Sequence, residues 1–120
     1  MIPGDQIKIR HVQSEGSVTD FTISGTIDAG SCDCLIHFWR KHVENQTRPV
    51  SIDMGQVDAI DAASIAELCS LIRDRAARDH LTRIIAPPQM LAHTLYKVAS
   101  LRDRQRVTLE DPRNEEPYAG

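Results

Sequence analysis

A chain of 120 residues has the size of one domain, so a single hydrophobic core is expected. Apolar residues make up 41% and aromatics only 4%, so that core must be built from Ile, Leu, Val, Ala and Met, with little stacking surface for bases or sugars. A net charge of -3 excludes the strongly basic footprint that nucleic-acid binding requires.

The chain opens in alternation. Gln6 to Val12 sets Ile7, Ile9 and His11 on one face, a period of two that predicts a strand. Ser14-Glu15-Gly16-Ser17 is a turn signal, and Val18 to Ser24 alternates again, so the two runs predict an antiparallel hairpin. Gly25 to Gly30, with two glycines around Asp28, is expected to break the second strand. From Ser31 to Val43 the residues Leu35, Ile36, Phe38, Trp39 and Val43 recur at helical spacing, and Pro49 predicts that this helix has ended. Val50 to Met54 is short and β-compatible. Arriving after a helix, it implies a parallel crossover.

The longest helical signal follows. Ala63, Ala66, Leu68, Cys69, Leu71, Ile72 and Ala76 form an apolar stripe, with Glu67, Asp74, Arg75 and Arg78 outside it. Asp61 is suited to cap this helix, although Ser64 and Glu67 also match a capping box and would start it a turn later. Leu81 to Ala86 predicts a strand. Pro87-Pro88 opens a helix with Met90, Leu91, Leu95, Val98 and Ala99 turned to the core, and Arg106 to Leu109 predicts a short last strand. The expected order is β-β-α-β-α-β-α-β, an α/β fold with a mixed sheet and helices packed against it. It forms one domain over residues 1–110, and the polar stretch 111–120 is expected to be a disordered tail.

Catalytic and metal signatures are weak. Cys32, Cys34 and His37 lie close in sequence, but a structural zinc site takes four ligands and no second Cys/His pair is near, so no metal is assigned. The five histidines form no HExxH pair, and no GxSxG, GxGxxG or Walker A segment occurs; no enzyme activity and no cofactor are expected. The alternating Arg102, Arg104 and Arg106 read as solvated charges on an edge strand. There is no apolar run of about 18 residues for a membrane span, and Met1 to Arg10 do not look like a secretory signal. Three cysteines give no disulfide framework, so a cytoplasmic setting is expected.

One segment stands out. Asp53-Met54-Gly55-Gln56-Val57 followed by Ile60-Asp61-Ala62-Ala63-Ser64 resembles the signature of STAS domains, in which an LDLSGV strand leads through F-I-D to S-S-G-L. Ser24-Gly25-Thr26-Ile27-Asp28 is similar to that family's L-x-G-E-L-D, and Pro87 to Leu101 to its V-S-P-A-V-x-R-L-L-E-L-T-G-L helix, so the likeness covers roughly residues 5–110. The resemblance implies a STAS-like fold and a non-catalytic protein-binding module. It also implies a serine or threonine directly after the aspartate, phosphorylated by a partner kinase to decide which partner binds.

Here that position is Ala62, which has no hydroxyl, and Ser64 is the nearest candidate for a displaced phosphoacceptor. The expectation is therefore an anti-sigma factor antagonist in a partner-switching pathway without the usual phosphoacceptor. Its partner would be an anti-sigma factor or serine kinase, and its contact surface Asp28, Asp61, Ala62, Ala63 and Ser64. Alternatives are a fixed STAS subunit on the ATPase of a lipid-transport ABC complex and, more weakly, a small-ligand-binding domain that uses the same loop.

Overall fold

The computed structural model describes residues 7–12 and 19–111. The expected turn at 14–17 and the tail at 112–120 lie outside the described residues. Strands β1 (Ile7–Val12) and β2 (Thr19–Ile27) pair antiparallel, as the two alternating runs predict. Helix α1 (Ala29–His42) then leads to β3 (Val50–Ile60), α2 (Ala62–Ala77) to β4 (Thr82–Ile85), and α3 (Gln89–Val98) with α4 (Leu101–Arg106) to β5 (Val107–Glu110). The sheet order is β1-β2-β3-β4-β5, and every pairing after the first is parallel. The mixed sheet with helices is the expected class, with one more short helix.

The core lies between sheet and helices. Phe21, Ile23 and Ile27 of β2, Val50, Ile52 and Met54 of β3, and Ile84 of β4 are buried, while Thr22, Asp53 and Arg83 on the alternate positions are more open. Against that face α1 sets Cys32, Leu35 and Trp39, with Val43 at its C-cap, and α2 sets Ile65, Leu68, Cys69, Ile72 and Ala76. These residues fall three and four apart, which places them on one stripe of each helix.

The chain departs from its local sequence pattern at several points. β2 is not broken at Gly25 but runs to Ile27, with Gly25 at a φ of 101° that a side chain would resist. β3 does not end at Met54. Register shifts between Thr22 and Ser24 and between Gly25 and Thr26 each admit one extra β3 residue, so the polar run Gly55 to Ile60 still pairs with β2. On α2, Ala63 and Ala66 are exposed and Ile65 takes the buried place. Met90 and Val98 are likewise turned outward, 62% and 41% exposed, and Ala92 packs inward instead. The alternating arginines sit on α4 rather than on an edge strand, where Arg106 lies 3.5 Å from Asp79; the side chain of Arg102 is outside the described part.

Arg75 is the largest departure. Expected on the solvent side of α2, it is 0% exposed. Its Nε donates to Thr82 Oγ1 at 2.9 Å, its Nη1 to the carbonyls of Val43 and Gln46 at 2.9 and 2.8 Å, and its Nη2 to those of Arg48 and Leu81 at 3.3 and 2.8 Å. All five guanidinium protons are thereby directed at acceptors. Burial pushes the Arg75 pKa down. The charge is tolerated because the loop before β3 and the residues around the start of β4 supply backbone oxygens in place of water. A Schellman ending, with Asp79 N–H on Ala76 O and His80 N–H on Arg75 O at a positive φ of 63° for Asp79, turns the chain so that Leu81 and Thr82 can reach it.

Candidate functional site

Parallel pairing brings two helix starts together. Ile27 and Ile60 are partners at the ends of β2 and β3, so the residues that follow them, Asp28 and Asp61, stand side by side about one strand spacing (~4.8 Å) apart. Asp61 N–H also donates to Ile27 O at 3.0 Å. Asp28 caps α1: its Oδ1 accepts from the amides of Gly30 and Ser31 at 3.0 and 3.1 Å. The Ser31 hydroxyl completes the box, accepting from Asp28 N–H at 2.9 Å and donating to Thr26 O at 2.8 Å. Sequence reading missed this cap, although the Asp-x-x-Ser spacing carried the signal.

Asp61 caps α2, accepting from the Ser64 amide at 2.8 Å, and α2 therefore begins at Ala62 and not a turn later. The Ser64 hydroxyl, then the Ser64 amide and the Ala29 amide, hold the Asp61 carboxyl below the usual carboxylate range. This carboxylate caps the first turn of α2, where unsatisfied N–H groups make negative charge favourable. The Ser64 hydroxyl itself is buried, with the residue only 1% exposed, and makes no hydrogen bond of ordinary geometry. It lies in the seam between α1 and α2 beside Cys32. Burial raises the Cys32 thiol pKa, with the nearby Ser64 hydroxyl acting the other way.

Of the five residues expected at the contact surface, Asp28 and Asp61 are half-buried and engaged as caps, Ala62 and Ala63 are exposed, and Ser64 is turned inside. The exposed part of this site is therefore the two methyl groups of Ala62 and Ala63 beside two neighbouring capping carboxylates. Cys32 is buried in the core and Cys34 is exposed, so the close cysteine pair diverges. Among the described residues no three His, Cys, Asp or Glu side chains gather as a metal site would need, and no helix is long and apolar enough to cross a membrane.

A strand order that follows the chain, with two capped helix starts at one end of the sheet, defines the class. A family model described as "Mlab, STAS domain" matches residues 10–109, and the chain belongs to the STAS domain family. Among solved structures it is similar to one described as "Structure of the Anti-Sigma Factor Antagonist SpoIIAA in its Unphosphorylated Form". That likeness has a TM-score of 0.53 and 7% identity, and covers 82% of this chain and 94% of the other. At that identity the likeness is one of fold. No curated protein matches the sequence.

Proposed function

We propose that this STAS domain is a non-catalytic docking module. It would act in the cytoplasm as an anti-sigma factor antagonist whose association does not depend on phosphorylation at the usual position. The observation that carries the reading is the exposed Ala62-Ala63 pair at the start of α2, directly after the capping Asp61 and on the same end of the sheet as Asp28. Two methyl groups let a partner's backbone approach closely, and the neighbouring carboxylates suit basic side chains on that partner. A phosphate at the first position of α2 would add nearly two negative charges there. Alanine removes that option, and the inward Ser64 hydroxyl offers a kinase little access while the helix start is closed.

The experiment is affinity capture of tagged protein from its native lysate with wild type and Ala62→Glu in parallel. An anti-sigma factor or serine kinase held by wild type and lost with Ala62→Glu supports the reading. Equal capture by a correctly folded Ala62→Glu protein refutes the surface. A second reading, a fixed subunit on the ATPase of a lipid-transport ABC complex, is kept because the matching family model is described as Mlab rather than as an antagonist. Stoichiometric recovery of such an ATPase would select it.

A further inference from the structure

A groove of about 540 Å³ opens between α3, α4 and β5, with Arg73 of α2 at its side. It shares no residue with the paired helix starts, so a ligand bound in it is independent of the docking reading. The groove exists because α3 and α4, joined only through Ala99 and Ser100, each pack on α2 and leave space between them. Ala92, Leu95, Tyr96 and Ala99 repeat three and four apart and so share one face of the α3 segment, with two alanines keeping the wall low. Val107 and Leu109 of β5 point to the same side by strand alternation. The volume falls within the range of small-molecule sites, about 300–1,000 Å³.

The rim is cationic on an acidic protein. The guanidiniums of Arg73 and Arg104 line it, with the His93 ring beside them, against one carboxylate, Asp103, which is already engaged by Arg73 Nε at 2.9 Å and by Ser100 N–H at 2.9 Å. Arg104 is different. Its guanidinium lies 4.6 Å from the Tyr96 ring centroid and donates to Tyr96 O at 3.2 Å, so it is held in place across the groove. It enters none of the ion pairs among the described residues. Apolar walls with one pre-placed, charge-unpaired guanidinium at the mouth are complementary to a chain with a single anionic end.

We propose that this groove binds a medium-chain alkyl carboxylate, its tail along Ala92, Leu95, Ala99, Val107 and Leu109 and its carboxylate on Arg104. The space equals about eighteen water-sized groups, enough for a chain of roughly ten carbons with some headgroup hydration.

The test is calorimetric titration of the full chain with hexanoate, octanoate and decanoate, beside octan-1-ol and octylammonium, with amide and methyl NMR shifts to locate the ligand. Affinity is expected to rise about fourfold per added methylene. Octylammonium should bind about tenfold more weakly than octanoate. Arg104→Gln should bring octanoate down to the level of octan-1-ol while leaving octan-1-ol unchanged. Ala92→Trp and, independently, Ala99→Leu should fill the groove and remove binding, with circular dichroism and Tm showing which of them remain folded. The proposal is overturned if decanoate gives neither heat nor shifts at about 1 mM. It is also overturned if octylammonium binds as well as octanoate, or if a folded groove-filling variant still binds.

Discussion

Replacing Arg75 with methionine removes a buried charge, and in many proteins apolar replacement of buried ions is neutral or stabilising because both partners can be made apolar together. Here the partners are mostly backbone carbonyls, which no substitution can remove. Two of the five acceptors keep another donor: Val43 O also accepts from Gln46 N–H at 3.0 Å, and Leu81 O from Val50 N–H at 3.1 Å. Gln46 O, Arg48 O and Thr82 Oγ1 depend on the guanidinium among the described residues. At roughly 1 kcal/mol for each group left unpaired, Arg75→Met should cost about 3 kcal/mol. That is a large share of the ~5–15 kcal/mol that holds a domain folded. Arg75→Lys keeps the charge but has three donors for five acceptors, and should cost about half as much. Urea unfolding gives the free energies directly, and for Arg75→Met the Tm should fall by roughly 10 °C. Amide exchange should rise first in the turn at residues 43–48. If Arg75→Met unfolds within about 1 kcal/mol of wild type, the guanidinium does not bolt this loop to α2 and water must replace it readily.

Other outcomes can be checked with the same assays. Asp61 and Asp103 both titrate below the ordinary carboxylate range in the folded chain. For Asp103, burial raises the pKa but is outweighed by the Ser100 amide, Arg73 and the Ser100 hydroxyl. A depressed folded pKa stabilises fully above the unfolded value and is lost as pH falls through the folded one. Asp61→Asn and Asp103→Asn should each flatten the acid limb of stability against pH, and an unchanged limb would contradict these assignments. Gly25→Ala should cost about 1–2 kcal/mol in urea unfolding, because a side chain is strained at a φ of 101°. Mass spectrometry of the peptide containing Ser64 is expected to show it unmodified in cells. Stoichiometric phosphate there would mean that the helix start opens for a kinase.

Much of this protein was legible in the chain itself. Alternation in residues 7–12 and 19–24 and the helical stripe of Leu35, Trp39 and Val43 depend on period alone, so the strands, the helix and the hairpin could be read locally. Asp61 as a cap and the run from Asp53 to Ser64 were equally local, and they sufficed for the family.

What tertiary structure decided is whatever depends on a distant partner. The outer half of β3 looks like loop, because Gly55, Gln56 and Asp58 are poor strand formers; it pairs only because bulges keep it in register with β2. Arg75 looks solvent-facing on any charge criterion, yet carbonyls from 27 to 32 residues earlier in the chain, and from Leu81 beyond it, make its burial tolerable. Asp28 and Asp61 are neighbours only because Ile27 meets Ile60, and the alkyl-sized groove exists only because α3 and α4 both lean on α2. Period and capping are short-range physics that a sequence displays residue by residue. Satisfying a buried charge, or leaving a space, depends on the sum of long-range contacts, and that sum exists only once the chain has folded.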